Sequence, residues 1–283
     1  MVEVMKKKLI AAISVAGALV TGVIFNVKAE KMREIKVDIG GNIMQTAKNS
    51  GAPRFGVESH WGLQIFELVD LRPDVAVEFS RPGYKITATP LFSLTMYADS
   101  ANDNNMAVEK IDLQYRYKAA SHDDARAFIS EILAQFKRGN WRRLIYDTCP
   151  AVSGRSAYLD ETGKVDGSCS LDPDYQPSMD DWLILMGTGR DYTWLGDGVA
   201  ARLTVDFETD ATGLSYKISL EFCDFALENK RANAAQAQEL AEGDEKGWKS
   251  TEGFKKRMAA NKVKVKLLEA NAIRRGDRLI SRD

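Results

Sequence analysis

Short runs of alternating apolar and polar residues dominate the middle of the chain. Five of them follow one another, "LQIFELVD", "VAVEFS", "YKITATP", "LFSLTMYAD" and "VEKIDLQYRYK". The turn-forming segments "RPD", "RPG" and "SANDNN" lie between them. A period of two predicts β-strands, and short turns between strands favour antiparallel hairpins.

The spacing of apolar residues changes to that of a helix after Ser121. One face of the segment "SHDDARAFISEILAQFKRG" is apolar, formed by Ala125, Phe128, Ile129, Ile132, Leu133 and Phe136. Ser121 is the predicted N-cap, and Gly139 the predicted end, of this helix. A second, shorter helix is predicted in "SMDDWLILMG", with Ser178 as its N-cap.

Two further strands, "VAARLTVDFE" and "LSYKISLEFCDF", surround the turn "TDATG". Their residues 203–205 and 218–222 resemble residues 94–97 and 111–115 of the earlier hairpin, and a helical segment follows each hairpin. A duplicated β-hairpin–helix unit and a chance similarity between amphipathic hairpins both explain this pattern.

The predicted fold class is therefore α+β, with antiparallel β-hairpins and packed helices after an N-terminal membrane-spanning or signal helix. Residues 31–60 are rich in Gly, Asn and Ser toward their end and predict a tether or irregular lead-in. Residues 61–228 form the predicted α+β domain. Residues 229–283 predict a charged helical tail, whose basic run favours a solvated helix face over a binding surface.

Residues 1–30 resemble a signal-anchor or a signal peptide. Three lysines, at positions 6 to 8, precede a largely apolar, uncharged run that begins at Leu9 and ends at Phe25. A run of this length is about 25 Å long as a helix, which nearly spans the hydrocarbon core of a bilayer. Cleavage after Ala29 is the alternative, since Val27 and Ala29 suit the −3 and −1 positions.

The lysine cluster predicts that the N-terminus stays in the cytoplasm. The rest of the chain is then expected in the periplasm, either attached to the inner membrane or soluble after cleavage. The chain has 39 basic and 40 acidic residues and a net charge of −1, so no overall field attracts nucleic acid. Only two histidines are present, which are few for acid–base or metal chemistry.

The three cysteines fit an oxidising compartment. Cys149 and Cys169 bracket a hairpin-like segment with a strand-like run at residues 155–159 and the turn "DETGK". They are the predicted disulfide, with two unpaired buried thiols as the alternative. Cys223 is expected to be a buried apolar side chain rather than a nucleophile.

No complete catalytic or cofactor motif is present. "GRSAY" lacks the second glycine of a nucleophile elbow, and "GTGRDY" lacks the third glycine of a dinucleotide site. The loop "DSANDNNMAVEK" departs from a calcium loop at its third, sixth and twelfth positions. We expect no metal, no cofactor and no catalytic residue, and an enzyme is the less favoured class.

Two stretches are the candidate binding site. "DYTWLGDG" is predicted to be a loop that exposes Tyr192 and Trp194, and the nearby acidic segment contains Asp172 and Asp174. Aromatic rings on a surface make strong contacts with partners, and carboxylates steer basic ones. The same residues also suit a purely structural role.

The sequence thus predicts an extracytoplasmic protein-binding module, attached to the membrane through its apolar run. An immunity-type inhibitor of an envelope-acting toxin matches this build, because it needs a rigid surface and no catalytic group. A structural or assembly component of the envelope or of a secretion apparatus, and a periplasmic enzyme of unfamiliar type, are the alternatives.

Overall fold

The computed structural model describes residues 33–52, 54–101, 103–210, 213–242 and 250–282. From Glu34 onward they belong to one compact unit. The predicted membrane span, Leu9 to Phe25, lies outside the described residues. Within those ranges, no helix has the length and apolar character needed to cross a bilayer.

The described residues form eleven strands, five α-helices and one 3-10 helix, so the α+β prediction is confirmed. The strands are β1 (Arg33–Val37), β2 (Gly56–His60), β3 (Leu63–Val69), β4 (Val75–Phe79), β5 (Ile86–Ala88), β6 (Leu91–Asp99), β7 (Lys110–Tyr115), β8 (Arg142–Arg143), β9 (Arg190–Gly196), β10 (Val199–Asp210) and β11 (Gly213–Asp224). The α-helices are α1 (Ile43–Asn49), α2 (His122–Arg138), α3 (Met179–Met186), α4 (Phe225–Glu242) and α5 (Thr251–Arg275), and the 3-10 helix covers Arg155–Tyr158.

Eight strands form one antiparallel sheet in the order β2-β3-β6-β7-β11-β10-β9-β8. Leu94 lies opposite Leu113 in the first hairpin, and Leu203 lies opposite Leu220 in the second. Leu113 and Leu220 also pair with each other, between β7 and β11. The strand pairing is therefore symmetric about this central pair of leucines.

The helices do not follow this symmetry. α2 buries five side chains against the sheets, whereas α4 follows β11 directly and has no buried residue. The hairpin part of the predicted repeat thus has matching registers, but the helices that follow the two hairpins pack differently.

One face of the large sheet is covered by α2 and by a three-stranded sheet in the order β1-β4-β5. Phe79 of β4 stacks on Phe222 of β11, with ring centroids 4.2 Å apart. Phe136 of α2 stacks in the same way on Trp194 of β9, at 3.7 Å. These aromatic contacts join both layers into one core.

The predicted helix signals of α2 and α3 are confirmed. Ser121 Oγ accepts a hydrogen bond from the Asp124 backbone N–H, and Ser178 Oγ accepts one from that of Asp181. Gly139 ends α2 by donating its N–H to the last carbonyl groups of the helix.

The tether predicted for residues 31–60 is wrong for the described part of this segment. β1, α1 and β2 lie in it, and Ile35, Val37 and Ile43 are buried in the core. The glycines that suggested an irregular chain form a tight turn, where Gly40 has a φ of 90°. Few apolar residues sufficed here because Ile35, Val37 and Ile43 are almost completely buried.

The predicted disulfide between Cys149 and Cys169 is confirmed, with Cα atoms 5.7 Å apart. The strand predicted at residues 155–159 is instead mostly the 3-10 helix. Arg155 and Tyr158 are three residues apart, so one turn of this helix places both on the same side. There both donate hydrogen bonds to Asp181 Oδ2, at 2.6 and 2.9 Å.

The end of the chain packs against this disulfide loop instead of forming a free tail. Ile280 donates its N–H to the Ala151 carbonyl at 2.9 Å. The Arg282 guanidinium donates to the Cys149 carbonyl at 2.6 Å. The predicted helices of the tail are present as α4 and α5, and α5 buries part of one face against the loop region.

Candidate functional site

The exposed aromatic loop predicted around Tyr192 and Trp194 does not exist. Both residues lie in β9, and their side chains are only 1% and 3% exposed. Trp194 pairs with Ala201 of β10 and stacks on Phe136. The prediction that these rings form a contact surface is therefore wrong, because they belong to the core.

The two aspartates of the predicted site have different environments. Asp172 is buried, and its carboxylate accepts hydrogen bonds from the backbone N–H groups of Gly154 at 2.6 Å and Asp174 at 3.0 Å. Its carboxylate therefore stabilises the conformation of the loop and is too buried to attract a basic partner. Asp174 is exposed and forms an ion pair with Lys137 of α2 at 2.9 Å.

Tyr192 and Asp174 do line a common cleft, between α2 and residues 173–177. Its volume is about 210 Å³. The pair of Lys137 with Asp174 crosses one part of it, and Arg126 donates to the Pro177 carbonyl at 2.7 Å in another. The cleft is small and its cationic groups already have partners, so it is a poor surface for a protein.

The side chains of His122 and Cys223 also have partners within the protein. His122 Nδ1 lies 2.7 Å from the Tyr216 hydroxyl, to which Trp182 Nε1 also donates a hydrogen bond at 2.9 Å. Cys223 is half-buried, and burial together with its hydrogen bond to Glu228 raises the pKa of its thiol. A thiol that stays protonated is a weak nucleophile.

Asp181 is the most strongly bonded carboxylate of the acidic segment. The hydrogen bond from Arg155 lowers its pKa, and Tyr158 donates a further hydrogen bond to it. Across the described ranges of the chain, no group of three or more His, Cys, Asp or Glu side chains is placed to hold a metal ion.

An exposed surface of a different kind lies at the β2 end of the large sheet. The two-residue turn between β2 and β3 consists of Trp61 and Gly62. Trp61 is 103% exposed, so its indole ring contacts nothing that shields it from solvent. A fully exposed tryptophan is unusual, since this side chain is well buried in most proteins.

The backbone of this turn is unfavourable for a tryptophan. Trp61 has a φ of 55° and Gly62 a φ of 88°, as in the hairpin turns that require positive φ at both positions. Asn, Asp or Gly is the usual residue at the first position, because a bulky side chain is strained there. Trp61 therefore lowers stability locally without gaining any burial within this chain.

The turn is held rigidly on the sheet. The Gly62 carbonyl accepts hydrogen bonds from the backbone N–H of Ser100 at 2.8 Å and from its hydroxyl at 2.7 Å. A Cβ atom on Gly62 would lie only 2.5 Å from the Cβ atom of Ala101. This close approach requires glycine and fixes the position from which Trp61 projects.

Four further exposed apolar side chains lie on the strands next to this turn, and we call this set, together with Trp61, the β2–β3 edge. Besides Trp61 it contains Val57, Leu63, Val69 and Phe92, which are all at least 36% exposed. All five lie on β2, on β3, in the turn between them or on the adjoining β6. By the strand register, Leu63 lies next to the turn, Val57 points to the opposite face of the hairpin, and Val69 and Phe92 lie toward the other end of β3.

The β2–β3 edge also lacks the features that normally protect a sheet edge. β2 is the terminal strand, its five residues are all exposed, and its register with β3 has no bulge. Lysine, proline or a bulge usually prevents such a strand from pairing with another chain. "GVESH" has neither lysine nor proline, and no other strand of the described residues pairs with the outer side of β2.

The charge of this edge is acidic. Residues 56–69 contain Glu58 and Glu67 but no lysine or arginine. His60 Nε2 lies 3.0 Å from Glu58 Oε2, and both side chains are mostly exposed. The local field thus favours a partner with basic residues.

Comparison of the chain with protein-family models, with curated proteins and with solved structures finds no match.

The β2–β3 edge was not predicted from the sequence, although the sequence contains a signal for its hairpin turn. "WG" between the apolar-containing runs "VESH" and "LQIF" has the length and the glycine of a two-residue hairpin turn.

Proposed function

We propose that this chain is a protein-binding module that contacts its partner through the β2–β3 edge. The supporting observation is Trp61, which is fully exposed in a backbone conformation that costs stability. Local strain without a gain in folding is a mark of functional positions. Contact with a partner supplies the burial that this ring lacks in the chain alone.

Trp61 is the main contact in this proposal. Tryptophan is enriched among the residues that contribute most to binding, and its removal typically costs about 2 kcal/mol or more of binding free energy. Leu63 is an exposed apolar residue directly after the turn, and Val57 is one on the other face of the hairpin. The open backbone groups of β2 add hydrogen bonds if the partner binds as an extended strand.

We further propose that the module works outside the cytoplasm, attached to the inner membrane through residues 9–25 or released by cleavage after Ala29. The disulfide between Cys149 and Cys169 supports this location, because such bonds form and persist in oxidising compartments. An immunity-type inhibitor of an envelope-acting toxin is the most specific form of the proposal. It fits a rigid edge that recognises one partner.

The test exploits the conflict between folding and binding at Trp61. Asn is a favoured residue at this turn position, so Trp61→Asn should raise the free energy of unfolding by about 0.5–1 kcal/mol. The same change should weaken partner binding at least about tenfold. Urea unfolding of the full chain measures the change in stability. Photo-crosslinking in the producing cell, with p-benzoylphenylalanine in place of Val57 in the full chain, measures the change in partner binding.

A discrete protein adduct from position 57 that disappears with Trp61→Asn would support the proposal. Ile184→Ala is the control, because Ile184 is an exposed apolar residue on α3. Ile184 is 54% exposed, compared with 56% for Val57. It should leave the adduct unchanged. An adduct that survives Trp61→Asn, or no adduct at all, would refute this surface.

A further inference from the structure

The helix α5 has apolar side chains on two opposite faces. Val265, Leu268 and Ala272 are buried against the rest of the compact unit. Val263 and Leu267 point in roughly the opposite direction, given 100° per residue, and are 69% and 45% exposed. An exposed apolar face opposite a buried one is not needed to attach the helix to its own domain.

The charge of α5 differs strongly from that of the whole chain. It contains eight basic residues and two acidic ones, a balance of +6 in a protein whose net charge is −1. The basic residues are Lys255, Lys256, Arg257, Lys262, Lys264, Lys266, Arg274 and Arg275, and the acidic ones are Glu252 and Glu269.

Most of these lysines have no ion-pair partner among the described residues. Lys264 forms an ion pair with Glu161 at 3.2 Å. Lys255, Lys256, Lys262 and Lys266 are exposed, and none of them forms an ion pair with another described residue. The positive charge of this face is therefore available to an external anion.

The lysines lie beside the exposed apolar residues. On a helical projection Lys255, Lys262 and Lys266 form one row, and Ala259, Val263 and Leu267 form the adjacent row. Long lysine side chains can extend their ammonium groups to the anionic headgroups while short apolar residues enter the layer below. A basic row beside an apolar row is one of the features of helices that lie in a membrane interface.

We infer that the exposed face of α5 lies on the surface of an anionic phospholipid bilayer. A lipid surface fits better than an acidic protein, because the exposed face is convex and its apolar row is too narrow for the core of a protein interface. Clusters of four to eight basic residues on such a helix are a recognised feature of binding to anionic lipids. The inference is independent of the β2–β3 edge.

The test places a nitroxide spin label on the exposed face of α5 in the full chain. Val263→Cys is labelled in a Cys223→Ser background, and the protein is mixed with vesicles of phosphatidylcholine alone or with added phosphatidylglycerol. We expect the label to become protected from a water-soluble nickel complex only in the vesicles with phosphatidylglycerol. High salt should reverse this protection.

A charge-reversed variant with Lys256→Glu, Lys262→Glu and Lys266→Glu tests the role of the lysines. Each lysine near an anionic surface changes the affinity for that surface about fivefold. The affinity of this variant for vesicles with phosphatidylglycerol should therefore fall about a hundredfold or more. A label at Val57→Cys, on the β2–β3 edge, is the reference and should remain accessible to the nickel complex in both kinds of vesicle.

Three results would overturn the inference. One is a label at position 263 that stays accessible in every vesicle, as expected for a solvated face or one reserved for an acidic protein. The second is equal protection with and without phosphatidylglycerol. The third is equal protection of the labels at positions 57 and 263, which indicates non-specific adsorption of the whole protein.

Discussion

At the scale of single residues, two carboxylates on β7 and β11 of the large sheet lie directly opposite each other. Asp112 of β7 pairs with Glu221 of β11. Glu221 is neutralised by an ion pair with Lys110 and by Arg202, whose Nη1 lies 3.5 Å from its Oε1. Asp112 has a single side-chain hydrogen bond, from Gln114 at 3.0 Å. Burial raises the pKa of Asp112; the charge of Lys110 reduces this effect, and that of Glu221 adds to it.

The raised pKa means that ionised Asp112 destabilises the folded state. Asp112→Asn should therefore increase the free energy of unfolding by about 0.5–1 kcal/mol at pH 7. The gain should decrease as the pH falls through the raised pKa and disappear by about pH 3, where the carboxyl is mostly protonated in the folded and the unfolded chain alike. Urea unfolding at both pH values measures this difference.

Glu221→Gln is the matched control for this prediction. Its carboxylate belongs to the same pair, but it has two cationic partners, so its loss should lower stability at pH 7. Equal signs for the two variants would contradict the prediction that the ionised Asp112 carboxylate in particular destabilises the folded state.

At the scale of elements, the loop closed by Cys149 and Cys169 depends on both covalent and non-covalent contacts. Arg143 donates hydrogen bonds to the carbonyl groups of Val152 at 2.8 Å and Ser170 at 3.1 Å. These contacts hold the loop on the sheet from the inside. The disulfide therefore restricts the unfolded chain more than it shapes the folded one.

Loss of the disulfide should consequently weaken the protein without abolishing its fold. A bond that closes 20 positions contributes about 3 kcal/mol in the chain-entropy model. The double variant Cys149→Ser with Cys169→Ser should show this loss in urea unfolding, and reduction of the wild type should give a similar value. Cys223→Ser is the control, since its stability should respond to reductant just as the wild type does. Identical unfolding curves before and after reduction would contradict the prediction.

Local signals predicted α2 and α3 well, because capping residues and apolar spacing agree over short stretches. They failed at β9, where the alternation of polar and aromatic residues in "DYTW" extends over only four residues. Pairing of Trp194 with Ala201, and its contact with Phe136, places that segment in the core. Such long-range contacts cannot be recognised in the local sequence. The sequence therefore did not indicate that Trp61 is more exposed than Trp194.

At the scale of the whole molecule, the proposed location makes a simple prediction about topology. The lysines at positions 6 to 8 favour a cytoplasmic N-terminus, and the disulfide supports an oxidising compartment for the rest. A reporter fused after Asp283 should therefore be active only when it functions outside the cytoplasm. A reporter that is active in the cytoplasm would refute the location. A mature N-terminus at Glu30, seen by mass measurement, would show cleavage instead of anchoring.

The contacts of residues 278–282 with the disulfide loop have a consequence for the order of events during synthesis. Hydrogen bonds join residues that are separated by 133 positions between Arg282 and Cys149, and by 125 between Arg278 and Ser153. The disulfide of this loop can therefore form early. The loop cannot make these contacts until residues 278–282 have been translated. A ribosome stalled before residue 276 should display a nascent chain with a closed disulfide and a protease-sensitive loop.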